Sequence, residues 1–435
     1  MVVEEIQDFS IGFPYKSLTI SLILIKFLIK TYIELRQYKR LGSNRPLPKK
    51  LKELDIDEEK FKQSNIYSKA KLQFHFIKST FSVILEILLF VFNYYPFIWE
   101  ISRKIASKLN FNPNNEYILC YIYMLIEYIR STIIDIPFDL YKTFILEEKF
   151  GFNKTTMKTF ITDIIKKLLL SIIFLPLVTN ILIYAIIKGG KYFYIIAEIT
   201  CLCLVFIFMW AYPNLIAPLF NKFTELEKGE IRDKIELMAK KVEYPLKKIY
   251  VVDESIRSAH SNAYLYGFGN NKRIVLFDTL IKTLQSSEIE AVLGHELGHW
   301  KKSHNIKLLC FSSLHIFILF YIFGFFIGNK SVFISFGFKN MSIFIGLSLY
   351  LSLYDPLSYF VEILQNYLTR LCEYEADAFA FELGYGELLK EGLKKLFVKN
   401  LSNMDPDPLY SACNNSHPTF IERVEELDRL NEKNK

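Results

Sequence analysis

The stretch SSEIEAVLGHELGHW, residues 286–300, stops just short of a span-length apolar run at 306–328, and the reading of that junction decides what kind of fold this chain adopts. It holds two of only seven histidines, His295 and His299, four positions apart with Glu296 beside the first. Ser287 and Glu290 have the spacing of a capping box, and no proline interrupts the run from there to Trp300, so a helix is expected. On one face of that helix the two imidazoles stand roughly 5 to 6 Å apart at Cβ, which suits two nitrogen ligands on one zinc ion. Glu296 falls beside the ion's open position, where a carboxylate can take a proton from water. Chance alone produces H-E-x-x-H in such a chain at a frequency on the order of one in a hundred, so the motif needs a third ligand and a fitting context.

Composition supplies the context. The 435 residues are 51% hydrophobic and 16% aromatic with 23% charge, which reads as a predominantly α, polytopic membrane protein rather than a soluble enzyme. Apolar segments are spread along the whole length, so one integrated membrane enzyme is expected. None of the six cysteines has C-x-x-C spacing, and most of them read as small buried residues, neither ligands nor disulfides. The net charge of +7 comes from lysines interleaved with acids, which favours a basic loop facing anionic lipid over nucleic-acid binding.

Runs near the twenty residues needed to cross a bilayer fall at 17–35, 79–100, 117–137, 168–188, 191–212, 306–328 and 341–364. The first carries Lys26 and Lys30 and reads as a retained span, not a removed signal peptide. Basic residues crowd the segment after it (Arg36, Lys39, Arg40, Arg45, Lys49, Lys50, Lys52), whereas Glu4, Glu5 and Asp8 precede it. The N-terminus is therefore expected in the lumen and that loop in the cytosol. Alternation puts the short loops near 189 and 329–340 in the lumen, and 212–305 and the tail from Arg370 in the cytosol. The expected organisation is 1–212 (spans one to five), 213–305 (protease segment), 306–365 (spans six and seven) and 366–435 (second protease segment). Spans six and seven make a hairpin returning to the face it left, so a third ligand is expected just past span seven.

RLCEYEADAFA, 370–380, meets that expectation. Glu373 is the candidate third ligand, and Asp377, one turn on, can accept a hydrogen bond from a ligand histidine and set its tautomer. In isolation Glu373, Glu375 and Asp377 would read as a solvated face, but the hairpin favours the ligand reading. Further on, SHPTFIER (416–423) puts His417 and Arg423 in the same tail, an imidazole for an oxyanion and a guanidinium to order carboxylates. From position alone, a loop before a final surface helix is the simpler reading of that segment.

Between spans five and six, 249–281 alternates like strands, with a hairpin from Asn262 to Phe268, a turn at 269–271 and a return from Arg273 to Phe277. Its edge can receive an extended peptide as an added strand; an ordinary structural hairpin accounts for the pattern equally well. His260 and His304 read as structural, and His75 and His315 show no partner. Glu86, Glu127, Glu198, Asp355 and Glu362 lie inside apolar runs and should face protein or enclosed water, unless, as for Glu362, the span end is misplaced.

With these residues in hand, the chain resembles the type I CAAX prenyl endopeptidases. The likeness rests on FILEEKFGFNKTT (144–156), APLFNKF (217–223), HSNAYLYGF with NKRIVLFDTL (260–280), VLGHELGHW (292–300), EYEADAFA (373–380) and SHP (416–418). It implies a barrel of seven tilted helices around a large water-filled chamber, with a zinc protease site at its cytosolic end. Matched motif by motif, it implies one Zn2+ per chain on His295, His299 and Glu373, Glu296 as catalytic base, and His417 stabilising the transition state. Arg423 then supports the site, and Asn262, with Ala263 and Tyr264, forms the substrate-binding strand.

The implied substrates are farnesylated CAAX proteins, and prelamin A in animals, reached from membrane lipid. The implied location is the endoplasmic reticulum membrane, with the inner nuclear membrane as a further site and a monomer as the working state. Cys372 stands where many relatives have an aromatic residue and Thr419 where they have proline, and neither touches the chemistry. Two rivals remain on sequence grounds: a membrane quality-control zinc protease clearing misfolded or stalled proteins, and a scaffold or transporter with a vestigial metal site.

Overall fold

In the computed structural model, which describes residues 4–5, 12–42, 45–267 and 269–433, the apolar runs form long helices, several of them opened by side-chain caps. After β1 (Glu4–Glu5) come α1 (Tyr15–Arg40), the short α2 (Lys49–Glu53), α3 (Glu58–Val91), α4 (Tyr94–Lys108), α5 (Glu116–Tyr141), α6 (Met157–Gly189) and α7 (Phe193–Ala211). Asp57, Asn115 and Thr156 accept backbone N–H groups at the starts of α3, α5 and α6, satisfying donors that a helix leaves unpaired.

Five stretches are long and apolar enough to cross a membrane: Glu58–Val91, Glu116–Glu147, Met157–Leu219, His304–Phe323 and Ile343–Glu382. The third of these contains both α6 and α7, folded back at Gly190. The large apolar residues Leu28, Ile77, Ile84, Leu169, Ile207 and Leu314 stay exposed on these helices and α1. Such a coat is untenable in water and fits a lipid-facing surface, so this is a multi-pass membrane protein. The first expected span lies on α1, where Lys16, Lys26 and Lys30 dilute the apolar run, and Lys26 Nζ is 2.7 Å from Asp355 Oδ2 on the last long helix.

Two expected boundaries move. The run read as 79–100 is divided, because α3 ends at Val91 and Asn93 turns the chain with φ 52°, a left-handed conformation that Asn tolerates, into α4. The last span does not stop at 364: its helix continues unbroken through Glu373 to Glu382. Polar groups within the apolar runs find partners. Glu86 accepts from the Tyr95 hydroxyl at 2.8 Å, Glu127 from Arg130 Nη2 at 2.8 Å, and Glu198 from Ser313. Glu362 is exposed.

The second half of the chain interleaves strands with helices: β2 (Phe223–Glu225), α8 (Glu230–Lys241), β3 (Leu246–Val252), β4 (Ala263–Tyr266), β5 (Lys272–Phe277), α9 (Asp278–Thr283) and α10 (Ser286–Lys301). Next come α11 (His304–Phe323), α12 (Lys330–Phe336), β6 (Asn340–Met341), α13 (Ile343–Glu382), α14 (Gly386–Lys399), α15 (Pro408–Asn414) and α16 (Phe420–Lys433). The expected hairpin is β4 and β5, with Tyr264 opposite Val275. Phe268, the expected last residue of its first strand, lies outside the described residues. β3 joins β5 in parallel and β2 joins β3, giving the order β2-β3-β5-β4 with β4 at an edge.

Among the described residues, the two largest of four buried apolar clusters lie at different ends of the helices. At one end Trp99, Phe323, Phe333 and Phe344 pack together, and β1 pairs with β6, placing Glu4 and Glu5 beside the segment before α13. At the other, Ile235, Ile274, Leu293, Ala380, Leu389 and Val424 form the core beneath the sheet and α10, joined by Leu51 and Phe61 from the segment after α1.

Candidate metal centre

The helix that carries the H-E-x-x-H motif starts from a cap two residues earlier than the sequence suggests. Gln285 and Glu288, not Ser287 and Glu290, form the reciprocal cap, with Glu288 Oε2 accepting the Gln285 N–H at 2.9 Å. Ser287 falls inside the first turn, and Glu290 instead accepts the Tyr385 hydroxyl at 2.6 Å. The register of His295 and His299 is untouched.

Glu373, the candidate third ligand, reaches the two histidines because α10 and α13 come unusually close. A Cβ on Gly298 would sit 3.0 Å from Ala376 Cα and 3.1 Å from its carbonyl oxygen, so a residue without a side chain is needed at the crossing. Gly298 lies between His295 and His299, and Ala376 between Glu373 and Asp377, so the contact sets the reach of both carboxylates. Gly298→Ala is expected to push the helices apart at a cost of about 1–3 kcal/mol, the usual range for overpacking. A lowered thermal midpoint in detergent, together with faster metal loss to a chelator, is the measurement.

His295 Nε2 lies 3.1 Å from His299 Nε2 and 3.4 Å from Glu373 Oε2, and His299 Nε2 lies 3.3 Å from Glu373 Oε1. Ligand atoms about 3.3 Å apart are what tetrahedral geometry with bonds of about 2.0–2.1 Å requires. Among the described residues, these three form the His, Cys, Asp and Glu group suited to hold an ion. Their protonation supports the fit. A carboxylate only accepts, so His295 Nδ1, 2.8 Å from Asp377 Oδ1, must donate, and Nε2, facing the carboxylate of Glu373, is the nitrogen that can give its lone pair to an ion once its proton is displaced. Oε2 of Glu373 is buried and accepts no well-aligned hydrogen bond. Such a convergence of acceptors calls for a cation.

Electrostatics point the same way. Burial and the Arg423 charge oppose protonation of His295, but Asp377 and Glu373 outweigh them and raise its pKa to about 9. A divalent ion binds there in competition with that proton. Asp377, fully buried, takes Arg423 Nε at 2.8 Å and Nη2 at 2.5 Å. Arg423 is aimed by α16, whose N-terminus is held by a reciprocal cap: Thr419 N–H to Glu422 Oε2 at 2.7 Å, Glu422 N–H to Thr419 Oγ1 at 3.2 Å. Thr419 thus has a clear local role. His417, exposed, places Nδ1 3.1 Å from Glu373 Oε2. Glu296 is half-buried next to His295, and burial first, then the nearby Glu373, raises its pKa above the ordinary carboxylate value.

Seven of the expected residues therefore gather at one point: His295, Glu296, His299, Glu373, Asp377, His417 and Arg423. Asn262, Ala263 and Tyr264 lie instead on or next to the edge strand β4, which packs against α10. Asn262 is exposed and Ala263 buried.

Two family models divide the chain between them: "CAAX prenyl protease N-terminal, five membrane helices" over residues 37–222, and "Peptidase family M48" over 225–431. The CAAX prenyl protease 1 homolog of Arabidopsis thaliana is 40% identical over 95% of this chain and 98% of the relative. The chain belongs to the CAAX prenyl protease 1 family. CAAX prenyl protease 1 of Saccharomyces cerevisiae is 36% identical over 97% of each chain, and the human homolog 34% over 93% of each. The crystal structure of S. mikatae Ste24p superposes with a TM-score of 0.90 at 36% identity, covering 96% of this chain and all of that one.

In this CAAX prenyl protease 1 family member the sequence reading misses one group of side chains. His304, read as merely structural, has Nδ1 2.9 Å from His299 Nδ1 and Nε2 2.9 Å from Glu375 Oε2. On a continuous helix, five residues would carry it about 140° away from His299. Ser303 adopts φ 56°, breaks the helix and swings His304 back. His75 and His315, expected without partners, meet Glu34 Oε1 at 3.1 Å and the Tyr354 hydroxyl at 2.6 Å. Both partners lie on other helices, beyond the reach of local reading.

Proposed function

We propose that this M48 peptidase cleaves the C-terminal CAAX region of prenylated proteins at the membrane, using one Zn2+ held by His295, His299 and Glu373. When bound, the ion supplies Lewis acidity that polarises the scissile carbonyl and acidifies water. Glu296 accepts the proton from water and delivers it to the leaving amine, a task suited to a carboxylate whose pKa is raised by burial. His417, exposed beside Glu373, donates to the developing oxyanion. Asp377 holds His295 in the tautomer that ligates, and Arg423 holds Asp377. The peptide lies along β4 as an added strand, with Asn262, Ala263 and Tyr264 contacting it.

The observation that carries this reading is the 3.1–3.4 Å triangle of ligand atoms with Glu296 beside it. The centre sits where α13 leaves the apolar region, so a substrate tethered by a prenyl chain meets it from the lipid phase. A single lipid chain anchors weakly, and the apolar helix surfaces give it somewhere to go. Segments 213–305 and 366–435 act as the protease unit, and 1–212 and 306–365 as its membrane support, arranged around an enclosed wet space. Arg36 and Arg40 pair with Asp407 and Asp405 at 3.1 and 2.7 Å, tying the basic end of α1 to the protease tail. Basic segments favour the cytosolic side, which supports a cytosolic site in the endoplasmic reticulum membrane.

The test is purified protein assayed on a farnesylated and an unfarnesylated CAAX peptide, with and without a chelator. Farnesyl-dependent cleavage, abolished by the chelator and restored by Zn2+, is expected. Equal cleavage of unprenylated, unfolded chains would favour a quality-control protease. Cleavage that survives complete metal removal would overturn the mechanism.

A further inference from the structure

The two ligand histidines are held in different ways, and the difference assigns a role to residues outside the ligand set. His295 is steadied by a buried carboxylate directly, Asp377 at 2.8 Å. His299 is steadied by another imidazole: His304 Nδ1 lies 2.9 Å from His299 Nδ1, with the rings edge-on at 80°. Behind His304 stands Glu375, whose Oε2 is 2.9 Å from His304 Nε2 and 2.8 Å from Lys307 Nζ.

With His304 neutral, the order of hydrogens along this chain of side chains follows from which groups can donate. Glu375 can only accept, so Lys307 Nζ and His304 Nε2 both donate to it. A neutral imidazole that donates from Nε2 must accept at Nδ1, so His304 Nδ1 accepts from His299 Nδ1. His299 is then left with its lone pair on Nε2, the atom 3.3 Å from Glu373 Oε1 and 3.1 Å from His295 Nε2. One carboxylate on the far side of His304 thus sets which nitrogen of His299 is free. His304 is 1% exposed, so no solvent competes for that position, whereas Glu375 and Lys307 are exposed.

We propose that His304 is a positioning residue of the metal centre: backed by Glu375 and Lys307, it fixes the tautomer and ring plane of His299 and thereby the affinity for the ion. The inference rests on the reading that His295, His299 and Glu373 hold the metal. The turn at Ser303 makes it possible, since it ends α10 and starts α11 with His304 facing back. Outer partners of ligating histidines commonly contribute 10–100-fold to metal affinity, and the same scale applies here.

The experiment compares wild-type protein, His304→Phe and His304→Gln in detergent. Zn2+ affinity is read by competition with a chromophoric chelator, and ligand geometry by the visible absorption of the Co2+-substituted protein. Phe keeps a ring but offers no acceptor, so a loss of affinity of roughly 10–100-fold and an altered Co2+ band are expected. The Gln amide oxygen can accept from His299, so partial recovery of both readouts is expected. His304→Phe with unchanged thermal midpoint, Zn2+ affinity and Co2+ spectrum overturns the proposal, as does a Gln variant no better than Phe. Should the His304 variants fail to fold, Glu375→Leu at an exposed position decides the matter: weakened Zn2+ binding supports the relay, and wild-type binding overturns it. Glu373→Gln serves as the control for the underlying site, since unchanged metal binding there would refute the ligand assignment rather than the relay.

Discussion

Glu296→Gln is expected to lower peptide hydrolysis by roughly 10²–10⁴-fold, the range for losing a positioned general base, while the protein keeps its metal. The substitution is nearly isosteric at a half-buried position, and Glu296 contributes none of the three converging ligand atoms. An amide oxygen cannot carry away a proton, so water beside the ion loses its acceptor. Burial raises the pKa of Glu296 above that of a free carboxylate, which makes it a stronger base than a solvent-exposed glutamate. The measurement is kcat on a farnesylated peptide alongside metal content of the same preparation. Activity within a few-fold of wild type at full metal content would remove Glu296 from the mechanism. If a biological role survived in that variant without peptidase activity, the scaffold reading would revive.

Glu373→Gln is expected to lose both metal and activity. The carboxylate is 3% exposed and lies within 3.1–3.4 Å of His295, His299 and His417, with Arg423 Nη1 at 3.8 Å. A neutral amide there removes the charge that balances a divalent ion and replaces one oxygen ligand by a poorer one. For a proposed ligand, the fall in metal affinity should exceed the roughly 10–100-fold typical of residues one step further out. Metal content after dialysis against a weak chelator is the readout. A variant that retained one equivalent of metal would show the third ligand to lie elsewhere. Together the two variants separate chemistry from assembly: the first holds metal and does not cut, the second does neither.

Much of this centre is legible in the chain because helical pitch is local. His295 and His299 share a face for the same reason that Glu373 and Asp377 do: each pair is four residues apart on one helix. The capping box sits two residues from its expected place because Gln285 is a less familiar cap than Ser287, yet the shift leaves the pitch unchanged. The span read as 79–100 fails for a different reason. Its apolar character continues across Asn93, and only the left-handed turn there, where Lys16 Nζ reaches Asn93 Oδ1 at 2.9 Å from another helix, divides it. The partners of Glu86, Asp355, His75 and His315 are invisible to local reading for the same reason, since each pairing joins different helices.

Residue types and their spacing by themselves determined a helical membrane chain, a two-histidine face with an adjacent base, and a downstream acidic helix at the same end. Three acids at 373, 375 and 377 are chemically alike, and only the packing gave each its own task. The close crossing of α10 and α13 at Gly298 and Ala376 turns Glu373 toward the histidines and Asp377 toward His295, while Glu375, on the opposite side, meets His304. Such assignments depend on where two helix axes cross and on one residue's backbone at Ser303, and neither is encoded in the periodicity of either helix alone.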